Sequence, residues 1–486
     1  MNSQRLRAAN DRPLREDREF VLYWMIAQRR PVSNFALDRA IERALELKKP
    51  LVILEALRSD YRWASHRLHA FALQGMARNR AEFARHPVTY RAYVEPETGA
   101  GRDLLAALAS RAAVVVTDEF PCFFLPRMVE RAATRIDVRL ETVDGNGLLP
   151  LRAAPRAFDR AFDFRRFLQR ELPHHLSEMP ACAPFSGVGL PRFAGFDAAF
   201  EARWPEPSSE LLAASPLALS LLPIDATVPP VGLEGGFVAA QARLSQFVER
   251  GLDRYGDDRN QPALDGTSRL SPWLHWGHLS VHQVLTAVAE HQAWNPSRLG
   301  LDHRGARQGW WGMAPSVEGF LDQLVTWREL GYGFCFHRPD YAEWASLPAW
   351  ARQTLDQHAA DARPYRYDLE SLESARTHDR IWNAAQTQLL SEGRIHNYLR
   401  MLWAKKVLEW SETPQRAYEV LEQLNNKYSI DGRNPNSYTG IAWCFGRFDR
   451  PWGPVRPIFG TIRYMSSDNT ARKFDLAPYL ERFTTR

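Results

Sequence analysis

Within the first 150 residues, short apolar runs of β type alternate with stretches of helical period, and this alternation restricts the fold more than any other feature. The runs fall at 20–25 (FVLYWM), 50–54 (PLVIL), 88–93, 112–117 (AAVVVT) and 136–143, with helical patterns at 35–47, 65–85 and 104–111. Strands alternating with helices build a parallel sheet covered on both faces, because each crossover lays a helix over the sheet. Residues 1–150 are therefore expected to form an α/β domain. From 151 to 231 the pattern gives way to pieces rich in proline, alanine and serine, such as RWPEPSSE and LLPIDATVPPVGLEGG. Long irregular connections run over a domain surface, so this stretch reads as a wrapping linker that ends near residues 232–236. Beyond it, spacing near 3.6 predicts helices over 239–255, 272–292, 317–331, 379–390, 394–410 and 414–427. Residues 232–486 are thus expected to be an all-helical domain.

Composition excludes several classes of protein. Apolar residues at 45% and charged residues at 24% are ordinary for globular chains, which removes disordered and collagen-like readings. The cysteines, Cys122, Cys182, Cys335 and Cys444, are scattered without CxxC or CxxH. A disulfide framework, a zinc ribbon and an iron–sulfur cluster are therefore not expected, and a reducing cytoplasm is the expected location. The N-terminal MNSQRLRAANDRPLREDREF has no apolar h-region. No run of eighteen apolar residues occurs, so no membrane span is expected. A net charge of +5 permits a polyanionic partner without demanding one. Sixteen tryptophans, thirteen of them from Trp273 onward, mean a large aromatic core or a use for the rings themselves.

Several motifs have an ordinary structural reading beside a functional one. Gly99-Ala100-Gly101 lacks the third small residue and the acidic partner of a dinucleotide turn, and reads as a plain βα turn. His275, His278 and His282 share a predicted helix face without a carboxylate or cysteine beside them, which favours packing over metal binding. Thr267-Ser268-Arg269-Leu270-Ser271-Pro272 brings hydroxyls into a helix start, either a cap or an anion site. Ser411 or Thr413 is expected to cap the helix that begins at Pro414. Trp403 and Trp410, seven apart, lie about 10 Å apart along one helix, with Trp382 on the helix before. They form either a helix seam or a chain of rings that passes electrons. Asn425, Asp431 and Arg433 in LNNKYSIDGR end a helix in a polar turn, either an Asx turn or a set of partners for a polar ring.

Together these pieces resemble the DNA photolyase and cryptochrome family, most closely the class II cyclobutane pyrimidine dimer photolyases. The resemblance runs through LYWMIAQRRPVSNFAL, RNQPALDGTSRLSPWLHWGHLS, RIHNYLRMLWAKKVLEW, LNNKYSIDGRNPNSYTGIAW and RPIFGTIRYM. It implies an antenna-binding α/β half, a helical half holding FAD, and damaged DNA as the partner of a monomer without an obligate protein partner. By resemblance, Tyr255, Thr267, Ser268, Arg269, Leu270 and Ser271 hold the FAD ribityl-diphosphate. Asn425 sits at flavin N5, and Asp431, Gly432 and Arg433 line the ring. Trp403, Trp382 and Trp410, in that order outward, match the photoreduction chain. Trp327 and Trp443 match the pair that clamps a flipped dimer, Met401 and Gln323 match lesion contacts, and Arg259 matches a position facing DNA phosphate. A second chromophore of deazaflavin or folate type is implied without its identity, and no metal is. A bacterial host would make the protein nucleoid-associated.

Three positions depart from the pattern. Gln323 stands where class II enzymes usually carry glutamate, and an amide cannot give a proton to a radical anion. Asn397 stands where glycine is common, and His278 where glutamine is common. The expected activity is light-driven repair of pyrimidine dimers. The alternative is a cryptochrome-type photoreceptor or a DNA-binding relative with altered or lost repair, and Gln323 is the feature that favours it.

Overall fold

Six strands form one sheet: β1 (Leu6–Ala8), β2 (Phe20–Met25), β3 (Leu51–Leu57), β4 (Thr89–Val94), β5 (Ala112–Glu119) and β6 (Leu140–Asp144). Their order is β1-β6-β5-β2-β3-β4. All neighbours run parallel except β1, which pairs antiparallel with β6 at the edge. The five apolar runs each yield a strand. β1 was not expected, because three residues inside a charged segment are too few to show a period of two. Period-two alternation places Phe20, Leu22 and Trp24 on one face with Leu104, Leu108 and Val129. It places Val21, Tyr23 and Met25 on the other with Phe35, Leu37 and Ala40. Burial on both faces is what a parallel sheet between helices requires.

Loop geometry at the ends of the strands is held by buried polar side chains. The Asp118 carboxylate, at the end of β5, accepts from the backbone N–H groups of Ile26, Ala27 and Gln28 and from the Tyr23 hydroxyl, at 2.7–2.9 Å. Asn34 caps the Phe35–Leu47 helix through its Oδ1. Glu95 accepts from the N–H groups of Gly99 and Gly101 at 3.0 and 3.2 Å, so the protein's own carboxylate fills that glycine turn.

The computed structural model describes residues 2–484. They fall into two compact units, neither made of one continuous stretch. The sheet-bearing unit takes the residues through Pro155, Glu171–Ser245 and Leu270–Pro296. The helical unit takes Arg156–Arg170, Gln246–Arg269 and the residues from Ser297 onward. The segment expected to be a linker is therefore shared out between the units, and it contains the Ala161–Glu171 helix and shorter turns. Gly235 belongs to the first unit, where an added Cβ would stand 1.9 Å from the Phe71 carbonyl oxygen. Close backbone approach, rather than a domain boundary, accounts for a glycine there.

The predicted 272–292 helix is broken in two. Helices span Ser271–His275 and Val281–His291, and Gly277 between them has φ +72°. A Cβ at Gly277 would lie 1.8 Å from the Ala27 carbonyl oxygen, so the chain must turn away there. His275, His278 and His282 consequently do not share one helix face. His278 is buried, and its Nδ1 accepts from the Gly236 N–H at 2.9 Å. Among the described residues, no group of three possible ligands stands together, and no helix is long and apolar enough to cross a membrane.

Candidate functional site

The indoles at 382, 403 and 410 come together. Asp379 caps the Arg380–Glu392 helix by accepting from the N–H groups of Ile381 and Trp382. This fixes Trp382 against the next helix, Asn397–Trp410. Trp382 lies between the other two: its ring is stacked on Trp403 at 6.4 Å and 8°, and meets Trp410 edge-on at 5.6 Å. All three are buried. The Trp382 indole N–H donates to the Trp403 carbonyl, and the Trp403 indole N–H donates to Gln386 Oε1, each at 3.0 Å. Beyond Trp410, Tyr367 and His378 lie at 5.3 Å, and His378 is exposed. Rings in contact along such a line can exchange an electron step by step.

The polar turn after the Pro414–Tyr428 helix is rigid and largely self-satisfied. Thr413 caps that helix, one of the two residues expected to do so. Gly432 is required by crowding, since a Cβ there would stand 2.9 Å from the Asn425 carbonyl oxygen. Arg433, at φ +65°, spends its guanidinium on the carbonyls of Asn426, Ser429 and Ile430. Its side chain therefore clips the turn. Asp431 accepts from Ser429 Oγ and pairs with Arg400 at 3.4 Å. Asn425, 5% exposed, donates to Asn426 Oδ1 at 3.1 Å. The buried Asn426 Nδ2 has no partner among the described residues.

The hydroxyl-rich loop does not cap its helix. Leu270 stands at the cap of Ser271–His275 with no side-chain bond, and Pro272 is the second residue, not the first. The boundary between the units falls between Arg269 and Leu270. Arg269, at φ +58°, pairs with Asp265, which Arg394 also grips at 2.6 and 3.1 Å. Tyr255 is buried against Phe247 and Phe320, with the Arg259 guanidinium 5.3 Å from its ring.

A cavity of about 470 Å³ opens in the helical unit. Met401 and Trp443, both expected at a lesion, line it, as does Asn397 at the start of the Asn397–Trp410 helix. Arg456, Arg463 and Lys473 supply three cations to the wall and no carboxylate does. Arg463 lies 4.1 Å over Trp452 and 5.6 Å from Trp443, with Asp449 at 3.1 Å. Arg456, Arg463, Lys473 and Trp452 were not singled out from sequence, although RPIFGTIRYM carries the two arginines. Gln323 and Trp327 are not among the lining residues. They sit one turn apart, half-buried, in a π-helical stretch, Asp322–Trp327, inside the longer 315–337 helix. Single π-turns inside α-helices are frequent at functional sites. Gly331, one turn on, faces the Pro435–Cys444 helix that carries Trp443: a Cβ there would meet Asn436 Oδ1 at 2.5 Å and Thr439 Oγ1 at 2.9 Å.

The parallel sheet with covered faces and the helical unit have the photolyase and cryptochrome fold, as solved structures show. A bacterial class III photolyase from Agrobacterium tumefaciens superposes with a TM-score of 0.68 at 19% identity, over 96% of this chain and 86% of its own. A Synechocystis cryptochrome gives 0.68 at 15% identity, over 96% and 88%. No family model matches the sequence. The deoxyribodipyrimidine photo-lyase of Methanothermobacter thermautotrophicus is 32% identical over 99% of this chain and 98% of its own length. Those of Potorous tridactylus and Oryza sativa are 31% and 32% identical over 98% and 95% of this chain. The chain belongs to the deoxyribodipyrimidine photo-lyase family.

Proposed function

We propose that this protein is a light-driven lyase that splits cyclobutane pyrimidine dimers in DNA, of the class II type. The observation that carries the reading is the cavity that Met401 and Trp443 line together with two arginines and a lysine. A flat indole holds an extruded base by stacking, a thioether adapts to its edge, and cations take the flanking phosphates. A dimer must leave the duplex to be reached, and base-flipping enzymes as a class include photolyases.

FAD is the cofactor that fits. The unpartnered amide nitrogen of buried Asn426 and the neighbouring Asn425 and Asp431 offer donors and acceptors to a polar ring edge. Tyr255, Thr267, Ser268 and the backbone of Arg269, all in the helical unit, suit a ribityl-diphosphate. When bound and reduced, FAD supplies on blue-light excitation the electron that opens the cyclobutane ring. Trp443 and Met401 hold the lesion in the cavity; Trp327 and Gln323, which do not line it, are assigned to the lesion by the resemblance alone, Gln323 as a neutral hydrogen-bond partner. Burial keeps water from the Trp403–Trp382–Trp410 chain. Arg259 takes a phosphate. An antenna of deazaflavin or folate type would belong to the sheet-bearing half.

The test is blue-light illumination of the reduced, FAD-loaded protein with an oligonucleotide carrying one thymine dimer. Restored thymines, read by chromatography, are expected. Flavin photoreduction without any dimer splitting would instead favour the photoreceptor reading, for which Gln323 speaks most.

A further inference from the structure

Behind the cavity wall lies a buried cation that the reading above does not use. Lys405 is one turn beyond Met401 on the Asn397–Trp410 helix, on the same face, and is 1% exposed. Its ammonium donates to the Cys444 carbonyl at the end of the Pro435–Cys444 helix. Carbonyls in a last helical turn lack partners within the helix, and a cation is favoured there. Trp443 precedes that carbonyl, and its ring is 5.9 Å from the ammonium. The Cys444 thiol in turn touches the Met401 sulfur at 3.9 Å. Lys405 therefore contacts the backbone behind one lining residue and shares a helix face with the other.

Burying an ammonium is costly unless it is paired. Among the described residues, no carboxylate forms an ion pair with Lys405; Asp449 is taken by Arg463. A position needing only packing would be filled at less cost by methionine or leucine. We propose that Lys405 is a positioning residue for lesion recognition: from behind the cavity its ammonium anchors the end of the Pro435–Cys444 helix and so holds the Trp443 ring at the angle an extruded base requires. This rests on the reading of the cavity as the lesion pocket.

The charged and titratable groups facing Lys405 are the Cys444 thiol, Asp449 and Arg463. Burial pushes the thiol up to about 11, so it stays neutral in the working range. Burial also holds Lys405 down to about 8. The anchor is thus present below that pH and lost above it, because a neutral amine binds a carbonyl more weakly than an ammonium does.

The experiment is binding in the dark. The FAD-loaded protein is titrated into a fluorescent duplex carrying one thymine dimer and into the same duplex undamaged, across pH 6.5 to 9.5 (about three units around the group's titration). The preference for damaged over undamaged duplex should fall about tenfold as pH rises through 8, with undamaged-duplex affinity steady within about twofold. Lys405→Met should show the reduced preference at every pH. Lys405→Arg, which stays charged throughout, should keep the preference and lose its pH dependence. If wild type prefers the lesion equally at all pH values, or Lys405→Met keeps the full preference, the inference is overturned. Should Lys405→Met fail to fold, the wild-type pH profile decides alone. A wild type without lesion preference at any pH overturns the underlying reading, and this inference with it.

Discussion

Gln323 occupies a half-buried place in the π-helical stretch, one turn from Trp327. An amide there can donate or accept but cannot yield a proton. Gln323→Glu should keep lesion affinity within about tenfold, since a neutral and a charge-assisted hydrogen bond differ by roughly 1 kcal/mol. Its repair yield per absorbed photon should rise if a proton assists the radical anion. Gln323→Ala should lose both, because a lesion carbonyl is left unpaired. Equal yields from all three proteins would place Gln323 away from the dimer. His278 tests a different physics. Burial, with Arg29 and Arg30 nearby, holds it down to about 3, while the unfolded chain takes up its proton near 6.5. The folded state therefore binds fewer protons between those values, and stability falls as pH drops below 6.5. The loss at pH 5 relative to pH 7 is about 2 kcal/mol from this group. His278→Gln should remove that share, seen as a smaller acid shift in the urea midpoint. Single residues were the least legible part of the sequence. The guanidinium of Arg433 bonds three carbonyls of its own turn, and hydrogen bonding of that kind leaves no trace in spacing.

Elements were read more securely, because period and caps are local. The indole helices start and stop within a few residues of their expected limits, and Trp382 stands between the other two rings. Trp382→Phe should therefore block rapid photoreduction of the oxidised cofactor, measured by flash absorption with an external donor, and spare repair by chemically reduced enzyme. Photoreduction at the wild-type rate would mean another route. Interruptions were not legible. The break at Gly277 and the π-turn at Asp322–Trp327 depend on what approaches from elsewhere in the chain. Gly331 shows the same dependence. Gly331→Ala should push its helix from Asn436 and Thr439, cost about 1–3 kcal/mol, and weaken discrimination of damaged from undamaged duplex in a binding assay.

For the whole molecule, the modest +5 charge understates the local field. Three cations and no carboxylate around one cavity concentrate it, and composition cannot show clustering. If the three neutralise phosphates, raising salt from about 50 to 200 mM should weaken duplex binding roughly 40-fold, and Lys473→Gln should reduce the logarithmic salt slope by about 0.9. A salt-independent affinity would argue against DNA as the partner. The broad plan, sheet first and helices after, was readable, but the sharing of segments between units was not. That sharing has a consequence for biosynthesis. The sheet-bearing unit is assembled from stretches that extend to Pro296, with two stretches of the other unit spliced in between. All six strands precede residue 145, whereas the last helix of their own unit, Val281–His291, is translated about 150 residues later, so that unit cannot be complete until more than half of the chain has been made. No single cleavage can release either unit whole.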